Sequence, residues 1–169
     1  MLDTRELGRR PGSQRQVTTT VPAPPDLGIE VLGVPEGSPV ELDLRLEGVV
    51  EGVLVTGTAK AALEGECARC LEPLVDEFTA TFQELFAHPD DQVPDDEDDG
   101  TSRLEGDLLD LGPLLRDAVV LALPFQPLCE DDCPGLCTEC GARLKDDPEH
   151  AHDEPIDPRW AALADIETE

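Results

Sequence analysis

The residues best suited to chemistry in this 169-residue chain are its six cysteines. They fall in two groups: Cys67 and Cys70, then Cys129, Cys133, Cys137 and Cys140. A Cys-x-x-Cys turn places two sulfurs within reach of one ion, at Zn–S distances of about 2.3 Å. Gly141 directly follows the last cysteine and permits the tight backbone return of such a loop. The pattern therefore predicts a structural zinc site with four ligands.

The spacing leaves the identity of the four ligands open. The most local set consists of Cys129, Cys133, Cys137 and Cys140, all within twelve residues. A second set keeps the Cys-x-x-Cys pair and replaces the other two sulfurs by His150 and His152. A third joins the same pair to Cys67 and Cys70, which would cross-link two distant segments. For the two histidines we favour a position as exposed residues of an acidic loop.

Cys67 and Cys70 also have a redox interpretation. Arg69 lies between them, and a neighbouring cation lowers the pKa of a thiol. No βαβ pattern of the thioredoxin type surrounds the pair, which argues against catalytic redox chemistry. A regulator that releases zinc when its thiolates are oxidised is therefore the alternative to a structural zinc protein.

The sequence offers no motif that predicts an enzyme. Gly8 and Gly12 are not followed by the Lys-Ser/Thr of a phosphate-binding loop. The three histidines lie in or beside acidic stretches, so no Ser/His/Asp constellation can be argued. We expect a protein without catalytic activity.

The net charge of the chain indicates which class of molecule it can bind. The chain has 39 Asp and Glu against 12 Lys and Arg, for a formal net charge of −27. Such a body repels nucleic-acid phosphates and anionic membranes, and it favours basic proteins as partners. Residues 1–16 are locally basic, so Arg9 and Arg10 are the candidate residues for a brief phosphate contact, and Arg69 is a third candidate binding residue.

The N-terminal residues contain no apolar core of the kind that a secretory signal needs. The longest apolar run, Ala118 to Leu123, is far too short to span a bilayer. We therefore expect a cytoplasmic protein, in which lasting disulfides are rare.

Alternating apolar and polar residues predict three consecutive strands, at about residues 40–47, 55–66 and 78–83. Their short connections favour an antiparallel meander over residues 40–86, joined by an earlier strand within Leu27–Val34. Asp110 is the predicted N-cap of an apolar helix that has Pro113 in its first turn and stops at Pro124.

These elements predict an α+β fold, an antiparallel meander covered by one apolar helix. The chain divides into a basic arm (1–16), a sheet region (17–86), an acidic disordered loop (87–106), a helix packed on the sheet (107–124), a Cys-rich zinc lobe (125–152) and a short C-terminal helix around Trp160 (153–169).

Taken in order, several motifs resemble the YceD family of large ribosomal RNA subunit accumulation proteins. They are Glu66-Cys67-Ala68-Arg69-Cys70-Leu71, Pro127-Leu128-Cys129, Cys133-Pro134-Gly135-Leu136-Cys137, Cys140-Gly141 and Ile156-Asp157-Pro158-Arg159, and the opening Leu7-Gly8-Arg9-Arg10-Pro11-Gly12-Ser13 resembles the actinobacterial branch. That branch often has a Cys-x-Cys where His150-Ala151-His152 stands here.

The resemblance implies a cytoplasmic, non-enzymatic role in the synthesis, processing or stability of large-subunit ribosomal RNA. Combined with the charge, it suggests a protein that binds a basic ribosomal protein or assembly factor. Contact with rRNA would then be indirect or made through the basic arm.

Overall fold

The computed structural model describes residues 1–7, 10–89 and 102–152. The described elements are β1 (Leu2–Asp3), β2 (Gln14–Pro22), β3 (Gly28–Ile29), β4 (Leu32–Gly33), β5 (Pro39–Gly48), β6 (Gly52–Glu66), β7 (Pro73–Ala87), β8 (Leu108–Leu109) and α1 (Gly112–Ala122). An antiparallel sheet with one helix confirms the predicted α+β class.

The main sheet is built around β6. β2, β5, β6 and β7 are successive antiparallel neighbours, so the predicted meander of β5, β6 and β7 is confirmed. β6 and β7 pair along their whole length, from Gly52↔Ala87 to Glu66↔Pro73. The small β3–β4 hairpin adds to β6 beyond the end of β5, and β1 and β8 form a separate two-stranded sheet.

The strands form as the alternation predicts. Val40, Leu42, Leu44 and Leu46 of β5 are buried, while the acidic and basic residues between them lie largely in solvent. The same core contains inward residues of β6 and β7 and four leucine and valine residues in and around α1, namely Leu111, Leu115, Val119 and Leu123. The helix thus covers one face of the sheet.

The helix begins slightly later than predicted. Its N-cap is Leu111, not Asp110, and β8 ends one residue before Asp110. The Asp110 carboxylate nevertheless accepts a hydrogen bond from the Gly112 N–H at 3.0 Å. Pro113 lies in the first turn, and the last helical residue is Ala122.

The described residues of the predicted basic arm pack against the rest of the protein. Leu2 and Asp3 pair with β8, and Leu7 is only 4% exposed. The sheet begins at Gln14, within the stretch assigned to the arm, because Gln14–Pro22 pairs with β5 throughout. The sequence does not predict this packing, because charged residues dominate the stretch, and Leu2 and Leu7 supply its apolar contacts.

Two predictions lie outside the described residues: the C-terminal helix around Trp160 and the phosphate contact of Arg9. Of the acidic disordered loop predicted at 87–106, residues 90–101 also lie outside them, but its ends are ordered, because Ala87 closes β7 and forms a bridge to Arg103, and Leu104 is buried. Within the described ranges, no helix has both the length and the apolar character needed to cross a membrane.

Gly57 is a position where the core tolerates little added volume. A Cβ there would lie 2.6 Å from Leu44 Cδ2 and 2.9 Å from the Asp43 carbonyl oxygen. We expect Gly57→Ala to lower the free energy of unfolding by about 1–3 kcal/mol, since the neighbours must shift. Ala62→Ser, on the exposed side of the same strand, should stay within about 0.5 kcal/mol of the parent in urea unfolding. Equal stability of the two variants would contradict this packing.

Candidate metal centres

The loop between β6 and β7 carries the first pair of cysteines. Cys67 follows the last residue of β6, and its N–H donates to the Glu72 carbonyl at 2.8 Å. The Leu71 N–H returns to the Cys67 carbonyl at 2.9 Å, which closes a tight turn. In that turn Cys67 and Cys70 are both buried.

A second segment, which follows α1, brings two more sulfurs to this loop. The Sγ–Sγ distances are 3.8 Å between Cys67 and Cys133 and 3.7 Å between Cys70 and Cys129. All four Sγ atoms lie within 4.8 Å of one another, and none of the four is in a disulfide. A tetrahedron with Zn–S bonds of about 2.3 Å has edges of about 3.8 Å, so the quartet has two edges of that length and is suited to a metal ion. We call it the sulfur cluster.

Two hydrogen bonds hold the segments together beside the sulfurs. The Ala68 N–H donates to the Pro127 carbonyl at 2.8 Å. The Arg69 guanidinium donates through Nη1 to the Cys133 carbonyl at 2.9 Å. The sulfur cluster therefore joins the β6–β7 loop to the chain beyond the helix.

The second cluster, which we call the mixed cluster, combines Cys137 and Cys140 with the two histidines. His150 Nε2 lies 3.2 Å from Cys140 Sγ and 2.9 Å from His152 Nε2. The four donor atoms lie within 4.8 Å of one another. These two distances are a few tenths of an ångström shorter than the edges of a zinc tetrahedron, about 3.3–3.6 Å, so the donors would separate slightly around an ion.

Carboxylates face the outer nitrogens of both rings. His152 Nδ1 lies 3.4 Å from Glu139 Oε2, and His150 Nδ1 lies 3.8 Å from Asp147 Oδ2. Metal-binding histidines commonly direct their second nitrogen to a carboxylate, which fixes the tautomer and orients the ring. Both Nε2 atoms are thus turned towards the cluster, as ligation requires.

The two Cys-x-x-Cys loops share one backbone design. In the second, the Cys137 N–H donates to the Ala142 carbonyl at 2.8 Å and the Gly141 N–H to the Cys137 carbonyl at 2.9 Å, as at Cys67 and Leu71. The residue after each second cysteine has a left-handed backbone, with φ of +58° at Leu71 and +73° at Gly141. The same local turn therefore presents each pair of thiols.

The surroundings favour the thiolate at the first cysteine of each loop. Burial acts to raise the pKa of Cys67, but backbone N–H donors, with Arg69 the strongest, lower it to about 6. Hydrogen bonds led by the Cys140 N–H lower the pKa of Cys137 to about 6 as well. Burial raises the pKa of Cys129 to about 12. A bound cation would replace the protons that remain on such thiols.

The structure does not bring the most local ligand set together. Cys129 and Cys133 belong to the sulfur cluster, and Cys137 and Cys140 to the mixed cluster. The chain passes the β6–β7 loop first and then forms a separate turn, marked by the Leu136↔Arg143 bridge. The structure also separates the set that joins Cys137 and Cys140 to Cys67 and Cys70. It assembles the set in which His150 and His152 complete the pair of Cys137 and Cys140. The two imidazole rings meet edge to face at a centroid distance of 4.7 Å; His152 is exposed, as expected, whereas His150 is only partly exposed.

Sequence reasoning does not find the quartet of Cys67, Cys70, Cys129 and Cys133. A usable signal is the number of donors: six cysteines and the His150–His152 pair supply enough ligands for two complete tetrahedral sites. Of the candidate binding arginines, Arg69 is engaged with Cys133, and Arg10 is exposed. A contact of Arg10 with phosphate stays a prediction.

Gly135 lies where the two segments meet, with φ of +82°, and a Cβ added there would lie only 3.2 Å from the Arg69 carbonyl oxygen. We expect Gly135→Ala to destabilise the protein by about 1–2 kcal/mol from backbone strain, and further through the contact with Arg69. Gly37→Ala is the matched control, because φ there is +76° with no atom within 4 Å. Chemical unfolding followed by circular dichroism should rank Gly135→Ala as clearly less stable than Gly37→Ala. The opposite order would argue against this junction.

Comparison with known proteins adds independent information. Residues 55–167 match the family described as "Large ribosomal RNA subunit accumulation protein YceD". An uncharacterized protein of Mycobacterium tuberculosis is 46% identical over 166 residues, covering 98% of this chain and 80% of the relative. An uncharacterized protein of Mycobacterium leprae is 42% identical over 167 residues, covering 98% and 76%.

A more distant relative carries a functional name. The chloroplastic "Large ribosomal RNA subunit accumulation protein YCED homolog 1" of Zea mays is 29% identical over 129 residues, covering 60% of this chain and 41% of the relative. No solved structure matches the chain. The family match spans both cysteine clusters and much of the sheet, and the chain belongs to the YceD family.

Proposed function

We propose that this protein is a non-enzymatic factor that supports the synthesis, processing or stability of large-subunit ribosomal RNA, and that it acts by binding a basic ribosomal protein or assembly factor. The observation that carries the proposal is the match of residues 55–167 to the YceD family, whose name describes accumulation of that RNA. Cytoplasmic location is part of the proposal.

The two clusters fit a role for zinc as a structural ion. Thiolates and imidazoles are ligands that zinc prefers, and two sets of four donors match its tetrahedral coordination. Zinc would supply folding free energy to a segment that has few apolar residues of its own. In this arrangement the protein's own groups orient the ligands: backbone N–H groups at the sulfurs, and Glu139 and Asp147 at the histidines.

The acidic surface supports a basic protein as the partner. At a net charge of −27, approach to bare rRNA is opposed by long-range repulsion. A lysine-rich polypeptide would instead be attracted, and its own affinity for RNA phosphates would be masked until it is delivered. Contact with rRNA through the basic N-terminal residues fits the same scheme as a secondary interaction.

A thiol-based redox regulator is the second candidate. The observation in its favour is the exposure of Cys140 next to Cys137, whose pKa is lowered to about 6 by backbone donors. Exposed thiolate character is what makes a cysteine susceptible to oxidation. In the sulfur cluster three of the four cysteines are buried, and the fourth, Cys129, is only partly exposed.

Metal content tests the two centres separately. Protein purified under reducing conditions should contain two zinc ions per chain by elemental analysis. Cys70→Ser should lose one ion and lower the thermal midpoint by about 10 °C or more, because it removes a buried cross-link. His152→Ala should also lose one ion. It should leave the thermal midpoint of unfolding nearly unchanged, since the mixed cluster is local and exposed.

His88→Ala is the matched control, since His88 belongs to neither cluster and should retain both ions. Metal-free wild-type protein under these conditions, or loss of both ions from His152→Ala, would contradict two independent centres. Mild peroxide distinguishes the second candidate: retention of both ions supports a structural role, and selective release from the mixed cluster supports a regulator.

Loss of the gene should lower large-subunit rRNA relative to small-subunit rRNA, as measured by capillary electrophoresis of total RNA. The purified protein should retain basic large-subunit ribosomal proteins at low salt and release them as salt rises, because opposite charges are screened. Salt-insensitive capture of protein-free rRNA, with no binding of basic proteins, would overturn the proposed partner.

A further inference from the structure

An apolar groove lies beside the sulfur cluster. It has a volume of about 340 Å³ and runs between β7, the end of α1 and the segment that carries Cys129. Leu32 and Leu63 are buried at its base, and Leu74 and Leu128 contribute further apolar lining. This volume is in the range of pockets that enclose small ligands or large side chains.

Several residues adjacent in the chain to the groove lining, or in a loop bonded to it, are apolar and exposed. Leu121 and Phe125 are 85% and 97% exposed, and they flank the groove-lining residues 122–124 in the chain. Leu71 is 55% exposed in the loop whose Ala68 is hydrogen-bonded to Pro127, another lining residue. Large apolar groups left in solvent around an apolar cavity are typical of a surface that contacts another polypeptide.

Leu71 supplies a second and independent indication. Its backbone is left-handed, at φ +58°, in the turn position that the other Cys-x-x-Cys loop fills with Gly141. A side chain in this conformation costs free energy, and an exposed leucine recovers little of it by burial. Glycine at this position would relieve the backbone strain. The presence of leucine instead indicates that its side chain has a function, such as a contact with a partner.

The acidic residues near the groove favour a partner segment that carries positive charge. Asp76 lines the groove, and Glu72 and Glu77 are its neighbours in the sequence. Lys145, a cation on this side, is paired with Glu130 at 3.3 Å, so it does not neutralise Asp76 directly. A carboxylate at the edge of an apolar cavity matches a segment that carries cationic side chains next to apolar ones. The net charge of −27 adds attraction at longer range.

We propose that this groove, with Leu71, Leu121 and Phe125 at its margin, is the docking site for an amphipathic cationic segment of a partner protein. The inference rests on the proposed binding of a basic partner and adds the place where it binds. The sulfur cluster positions one wall, because Cys129 lines the groove and its Sγ lies 3.7 Å from that of Cys70.

The test uses fluorescence anisotropy with the zinc-loaded full-length protein and a fluorescein-labelled peptide of lysine and leucine, its leucines at helical i, i+3, i+4 spacing. A second peptide replaces leucine with serine at constant charge, and a third replaces lysine with glutamate. Only the first should bind tightly, since the groove requires both apolar and cationic groups.

Leu71→Gly is the informative variant. We expect it to weaken peptide binding about tenfold while leaving the thermal midpoint unchanged or higher, because the strain is relieved as the contact is lost. Phe125→Ser should weaken binding to a similar degree. Val50→Ser is the matched control: Val50 is 79% exposed in the β5–β6 turn, at the far end of the sheet, and its loss should not change affinity.

Unchanged affinity in both Leu71→Gly and Phe125→Ser would overturn the docking site, and would leave the proposed function intact if basic ribosomal proteins still bind. A benzophenone amino acid in place of Phe125 identifies the occupant. Cross-linking to the cationic peptide supports the inference. Cross-linking mainly to a second copy, or to residues 153–169 of the same chain, assigns the groove to another occupant and overturns it.

Discussion

The convergence of four sulfurs between the β6–β7 loop and the segment after α1 is the contact on which the rest of the structure depends. It joins positions 59 and 66 residues apart in sequence, at Sγ–Sγ distances of 3.7 and 3.8 Å. The helix lies between these two points of the chain, so fixing them also fixes where α1 can cross the sheet. One wall of the groove is fixed in the same way, because Cys129 lines it, and the mixed cluster lies in the chain that continues from Cys133.

Charge explains why such a cross-link is useful here. Carboxylates outnumber basic side chains 39 to 12, and their mutual repulsion opposes a compact state. Aromatic residues, which bury the most apolar area, make up only 3% of the chain. A divalent ion held by four thiolates would leave that site at a formal charge of −2, so its benefit would be a rigid junction that holds the chain compact where apolar area is scarce. On the surface, the same excess of carboxylates is available to a basic partner.

The sequence predicts those parts of the structure that depend on neighbouring residues. The alternation in β5 and the helical stripe with Leu115 and Val119 are local patterns, and both elements form as expected. The pattern does not predict β2, because its threonine and glutamine residues alternate only weakly in polarity and its place is set by pairing with β5. The sequence does not predict which cysteines share a cluster, for a related reason. The sulfurs that meet depend on where the chain returns after the helix, and the spacing of the cysteines does not determine that position.

The two Cys-x-x-Cys loops show how far a local motif determines chemistry. Their backbone hydrogen bonds are the same, and each lowers the pKa of its first cysteine to about 6. They differ in their partners. The thiols of the first loop are buried and meet cysteines from a distant segment, whereas those of the second meet histidines ten and twelve residues beyond Cys140 and lie nearer the surface. Burial limits the access of chelators and oxidants to a bound ion, whereas ligand type and geometry determine whether the ion binds. The turn therefore presents one pair of thiols, while the tertiary surroundings decide which donors complete the set of four and whether an ion held there would be shielded or exchangeable.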